Sequence, residues 1–72
     1  MQLGRYQHFR NKKYYKVLGI ALHSETREEL VVYEPLYEDT ASRLWVRPRR
    51  MFEELVLHEG KHVPRFSFIS EA

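Results

Sequence analysis

Between Tyr14 and Leu22 the chain alternates, with Tyr15, Val17, Gly19 and Ala21 on one side and Tyr14, Lys16, Leu18, Ile20 and Leu22 on the other. A period of two predicts a strand, and apolar character on both sides predicts one from the middle of a sheet. Gly19 would let it bend. Residues 30–37 predict a second strand, with Val31, Tyr33 and Tyr37 against Leu30, Val32 and Leu36. Pro35 lacks a ladder donor there, which suggests an edge or a bulge. Residues 43–47 form a third, in which Leu44 and Val46 alternate with Trp45 and Arg47. Residues 4–10 predict the first strand of the chain. Near the end, Leu55–His58 and residues 62–69 flank Glu59 and Gly60, the sequence of a tight hairpin. Pro64 weakens the first half of that last strand.

Helix is scarce. Pro48 suits a first helical position, and a single 3-10 or α turn is expected near residues 48–54. Thr26 and Glu29 have capping-box spacing, but the strand at Leu30 follows at once. Residues 23–29 are therefore expected to be a loop, with at most one helical turn, joining the two strongest strands as an antiparallel pair. Five or six short strands and one late helical turn describe an all-β fold: a small, strongly bent antiparallel barrel of SH3-like kind, one domain over residues 1–72. The predicted core is Val17, Leu18, Ile20, Val32, Leu44, Val46, Met51, Phe52 and Phe66. Aromatics make up 14% of the chain, so rings are expected to fill much of it.

Several strings belong together. They are Gly4-x-Tyr6-x-His8-Phe9, Tyr15-x-Val17-Leu18-Gly19, His23-Ser24-Glu25-Thr26, Leu30-Val31-Val32-Tyr33, Leu36-Tyr37, Leu44-Trp45-Val46-Arg47-Pro48, Met51-Phe52 and Val63-Pro64-Arg65-Phe66. The combination resembles the bacterial Domain of Unknown Function 1653 family over residues 4–66. Asn11 stands where that family commonly has glycine, so the first turn is expected to differ. The resemblance implies a small stand-alone bacterial protein or an attached module. It implies no activity, cofactor or catalytic residue.

Charge is organised in blocks. Residues 1–16 carry Arg5, Arg10, Lys12, Lys13 and Lys16 and no acid. Residues 24–41 carry Glu25, Glu28, Glu29, Glu34, Glu38 and Asp39 against Arg27, and residues 43–50 carry Arg43, Arg47, Arg49 and Arg50. Opposite blocks are expected to pair; the alternative is a basic face made by the first and third. There is no cysteine, so neither a disulfide nor a thiolate site is available. No apolar run approaches the ~20 residues that cross a bilayer, and the start lacks the apolar stretch of a signal peptide. A cytoplasmic protein without membrane contact, monomer or homodimer, is the resulting expectation.

Candidate chemistry lies in two places. Trp45 and Arg47 share a side of one strand, Tyr33 and Tyr37 a side of the strand before it, and Arg65 falls near the end of the chain. Aromatics interleaved with arginine can stack a base or clamp an acidic group. If Leu44 and Val46 point inward, Trp45 and Arg47 are forced to the outer side. The alternative is a core Trp45 with Arg47 paired to Glu34 or Glu38. The loop of His23, Ser24 and Thr26 is expected to border that face. It also holds the residue types of a nucleophile and base, although neighbours on a strand point apart. Its plainer reading is a turn in which side chains bond backbone amides. His8, His23, His58 and His62 lack any metal-ligand spacing on one element, so no metal or other cofactor is expected. Three functions follow in order: a binding module for an anionic ligand (a nucleotide, single-stranded nucleic acid or acidic group), an SH3-like protein-interaction module using the tyrosines, and a small enzyme using residues 23–26.

Overall fold

The computed structural model describes residues 1–37 and 43–71. Among these, the elements are β1 (Gly4–His8), β2 (Tyr14–Leu22), β3 (Glu29–Pro35), β4 (Trp45–Pro48), α1 (Arg49–Phe52), β5 (Leu55–His58), β6 (Lys61–Pro64) and β7 (Phe66–Ser70). Five strands form one antiparallel sheet in the order β4-β3-β2-β1-β7, and β5 and β6 form a separate ribbon. The fold is all-β, as the alternation predicts, with its one helical turn in the predicted place. The barrel does not close: β4 and β7 are the two ends of an open sheet. That order is compatible with an SH3-like arrangement.

Local chemistry explains most of the boundaries. Glu59 (φ 52°) and Gly60 (φ 81°) both take positive φ, the requirement of the tight hairpin turn expected there. β1 ends at His8, earlier than predicted, because the chain turns: the His8 N–H donates to the Lys13 carbonyl (3.0 Å) and the Lys12 N–H to the His8 carbonyl (3.1 Å). Asn11 holds this turn by accepting the Lys13 N–H at 2.8 Å. Pro35 marks an edge, not a bulge: it closes β3 where only β2 still pairs with it and β4 no longer does. The bulge is at Leu18, since Val17 faces Tyr33 while Gly19 already faces Val32. Pro48 remains extended (φ −51°, ψ 135°) as the last residue of β4, one position before the helix.

The strand predicted over residues 62–69 is two strands in different sheets. Arg65 is the pivot between them. Its N–H donates to the Glu54 carbonyl (3.0 Å) and its own carbonyl accepts the Phe9 N–H (2.9 Å), so neither group joins a ladder. Gly4 has φ 133°, and a Cβ there would collide with the Ser70 carbonyl oxygen and stand 2.8 Å from the Glu71 Cα. Glycine is required where the end of β7 crosses the start of β1.

The core is Tyr6, Tyr15, Val17, Val31, Tyr33, Phe52 and Phe66, with Tyr37 and Trp45 packed against it. Rings dominate, as expected. Phe52 stacks flat on Phe66 at 4.1 Å, and Tyr6 and Tyr33 each meet Phe52 edge-on at 5.4 Å. Val17, Phe52 and Phe66 are where the alternation puts them. The other predicted core residues are not. Leu44 (60%) and Val46 (58%) are the clearest cases of exposure, and Leu18, Ile20 and Met51 are also exposed. Val32 is only half-buried. The cause is register: Tyr33 pairs with Trp45 and Val32 with Val46, so the β4 face that carries Trp45 turns inward. Met51 lies outside because one helical turn can aim only one large side chain, here Phe52, at the sheet.

These placements separate two substitutions sharply. Phe52→Ala is expected to cost about 3–5 kcal/mol, enough to unfold much of a domain this small. Val46→Ala is expected to stay within about 0.5 kcal/mol of the parent. Urea denaturation of both variants checks this, and a Val46→Ala loss approaching that of Phe52→Ala would place Val46 inside.

Candidate functional site

The β3–β4 ladder sets Tyr33 opposite Trp45 and Val31 opposite Arg47. Cross-strand partners share a face, so Trp45 and Arg47 lie on the core side, half-buried at its rim. This corrects the expectation that they point outward. Trp45 meets Tyr33 edge-on at 6.0 Å and Tyr15 at a tilt at 6.2 Å. Tyr37 stands edge-on to Tyr15 at 5.6 Å, and their hydroxyls are 3.4 Å apart. The Arg47 Nε–H donates to the Tyr33 hydroxyl at 3.4 Å, and its guanidinium carbon lies 5.5 Å from the centre of the Phe66 ring.

Among the described residues Arg47 has no carboxylate partner within ion-pair distance. Glu34, one of the two acids expected to pair with it, faces Lys16 on the other side of the sheet. Glu38, the other, lies outside the described residues. Arg65 differs: its Nη2 donates to a Glu54 carboxylate oxygen at 2.8 Å, and its Nε is buried without a hydrogen-bond partner among the described residues.

His8 completes this end of the sheet. It pairs with Phe66 across the β1–β7 ladder and meets that ring edge-on at 4.9 Å. Its Nδ1 accepts the Arg10 N–H at 3.1 Å. Burial pushes its pKa below the usual histidine value, and the nearby charges of Arg47, Arg65 and Arg10 push it further down. Three guanidinium groups thus act on one imidazole. The Tyr37 hydroxyl is pushed up to about 12, first by its hydrogen bond with Tyr15 and then by burial, so it stays neutral at ordinary pH.

Trp45, Arg47, Arg65, Tyr33 and Tyr37 are therefore brought to one region, with Tyr33 buried and the rest at its rim. His23, Ser24 and Thr26 are not. They lie in the β2–β3 hairpin, beyond the pairing of Leu22 with Glu29. That is four residues along β3 from Tyr33, roughly 13 Å at strand rise. The loop follows its plainer reading. His23 Nδ1 accepts the backbone N–H groups of Glu25 (3.1 Å) and Thr26 (3.3 Å), and the Thr26 hydroxyl accepts that of Glu28 (3.2 Å). The imidazole shapes the turn, which leaves no base aimed at a nucleophile.

Two contributors were not among the candidate ligand-binding residues read from the sequence. Asn11 donates from Nδ2 to the Tyr15 hydroxyl at 3.1 Å, tying the first turn to the ring cluster; its departure from the family glycine was the available signal. His8 follows Tyr6 at strand period, which marked it for the same face. For metal, among the described residues no three potential ligands converge. His58 pairs with Lys61 while His62 pairs with Leu57, so those two histidines lie on opposite faces of the ribbon.

Fold and site together define a small antiparallel β domain with an aromatic cluster rimmed by arginines. A family model described as a protein of unknown function, DUF1653, matches residues 4–68, and the chain belongs to that family. The chain is similar to a crystal structure of a DUF1653 protein from Bordetella bronchiseptica, with 30% identity, coverage of 100% of this chain and 91% of that one, and a TM-score of 0.88. No curated protein matches. Among the described residues no helix is long and apolar enough to cross a membrane.

The depressed His8 pKa has a consequence for stability. The unfolded chain binds this proton more readily than the folded one. The stabilising contribution is complete above the unfolded value, about 6.5, and is lost as pH falls below it. Urea denaturation at pH 7.5 and pH 5 should show a larger loss for the parent than for His8→Gln. Equal losses would mean that neither burial nor the arginines depress the His8 pKa.

Proposed function

We propose that this protein is a non-catalytic binding module, bacterial and cytoplasmic, that takes an anionic ligand at the Trp45–Arg47 rim of the core. One observation carries the reading: a half-buried guanidinium, oriented by Tyr33, has no carboxylate partner among the described residues. Partial burial of a charge is unfavourable unless an opposite charge or hydrogen bonds compensate. With Nε occupied by Tyr33, the two terminal nitrogens of Arg47 remain to grip a phosphate or carboxylate in paired hydrogen bonds. Trp45, two residues away on the same face, offers a ring to an aromatic or apolar part of the ligand. Arg65 adds positive potential but is already engaged with Glu54.

The packing favours this over a peptide groove built on tyrosines, because Tyr15 and Tyr33 are buried. It also favours it over an enzyme at residues 23–26, whose imidazole caps its own turn. Trp45 is the one tryptophan in the chain, so its fluorescence reports on this rim. Titration at low salt with a nucleotide, a short oligonucleotide and an acidic peptide is expected to change the signal for at least one. Arg47→Ala should weaken that binding about tenfold or more, the range of lost hydrogen bonds to a charged group, with the melting temperature little changed. No response to any of the three would overturn the reading.

A further inference from the structure

We propose that the outward face of the sheet docks a second copy of this chain, packed about a two-fold axis that runs between β2 and β3. This face lies on the other side of the sheet from Arg47, so the inference stands or falls independently of the anion reading. Val31 and Tyr33 are buried, so Val32 between them points away from the core. It pairs with Val46 on one side and Gly19 on the other, and the neighbouring outward row is Pro48, Leu30 and Ala21. Val46 is 58% exposed, and the bulge residue Leu18 beside Gly19 is exposed as well. Two apolar rows of one sheet face therefore stand open to water.

Two further features identify what covers them. Gly19 lies in the middle of the face, yet its φ is not positive and a Cβ there would meet nothing within 4 Å. Glycine weakens a strand interior, and where the chain itself has no need of it, it marks the close approach of another surface. The next outward row pairs Lys16 with Glu34, and among the described residues neither makes an ion pair. A border of one sign would ask for a partner of the opposite sign. A cation and an acid side by side are complementary to themselves. A two-fold axis between β2 and β3 lays each of these strands over the other strand of the second copy. That one operation sets Lys16 over the partner's Glu34, Glu34 over the partner's Lys16, and Val32 over the partner's Gly19. Sheets pack face to face about 10 Å apart with their side chains interdigitated, and the missing side chain at Gly19 is the gap that a valine needs. Three strands about 4.8 Å apart, read over the seven residues of β3 at about 3.3 Å each, present on the order of 300 Å². That is less than the roughly 800 Å² per partner of a standard interface, so the dimer is weak and reversible.

Sedimentation equilibrium of the full chain, from about 10 μM to about 1 mM, is expected to show one reversible monomer–dimer step. Lys16→Glu and Glu34→Lys each set like charges against one another across the axis, and each should weaken association by about tenfold or more. An equimolar mixture of these two variants should recover the parent's affinity, because each supplies the charge that the other lacks. Melting temperatures establish that the variants are folded. Gly19→Lys, which enters open space within its own chain, should keep the parent's melting temperature and stay monomeric; it decides the matter if either charge variant is unfolded. A parent that remains monomeric at the highest concentration would overturn the proposal. So would charge variants that dimerise as the parent does, or a mixture that fails to recover, since damage within one chain is not repaired by another. Species that keep growing beyond the dimer would overturn the two-fold packing in favour of pairing along the free edge of β4.

Discussion

Tyr33 standing opposite Trp45 is the pairing on which the rest of the molecule depends. It turns one face of β4 toward the rings and the other toward solvent. A slip of one residue would exchange Trp45 and Arg47 for Val46 at the core. The Tyr33 ring is fixed from three sides, by Phe52, Phe66 and Tyr15. Its hydroxyl then has one place to go, the rim, where it meets the Arg47 Nε–H. A core made largely of rings places polar atoms at its own boundary in a way that an aliphatic core does not. The placement of Arg47 is in this sense a product of the packing.

How much of this was legible follows from what each residue could signal. Period-two alternation located the strands, and Glu59 with Gly60 located the ribbon turn, because that turn needs two positive φ values. The facing of β3 was not legible. Leu30 and Val32 are as apolar as Val31 and Tyr33, so hydrophobicity does not distinguish the sides. At and just before β4 the aliphatic Val46 and Leu44 competed with Trp45 and Arg47, and a half-buried arginine on the inward face defeats a rule based on polarity. The break at Arg65 had no signal in alternation. It arises from two backbone hydrogen bonds to Glu54 and Phe9, contacts distant in sequence.

The candidate site was legible as residue types, less so as geometry. Trp45, Arg47, Arg65, Tyr33 and Tyr37 do gather at one end. The three residues of the β2–β3 hairpin do not, because a hairpin turn lies at the opposite end of its strands from their other termini. The charge blocks divide in the same way. Arg49 and Arg50 of the third block meet the acidic block at the hairpin, as expected of opposite charges. Arg10 and Lys13 of the first block, with Arg47 of the third, lie over rings. Asn11 and His8 join them through hydrogen-bond and ring contacts that need the fold to be known first.

The central claim is that Tyr33 holds Arg47 ready for an anion, and a double-mutant cycle tests it most directly. Affinity for whichever of the nucleotide, oligonucleotide and acidic peptide moves the Trp45 signal is measured for the parent, Tyr33→Phe, Arg47→Ala and the double variant, with melting temperatures to confirm folding. Removing the hydroxyl is expected to weaken binding about fivefold in the parent, the scale of one hydrogen bond, and to have no further effect once Arg47 is gone. Losses that simply add, or a Tyr33→Phe variant that binds as the parent does, would contradict the account.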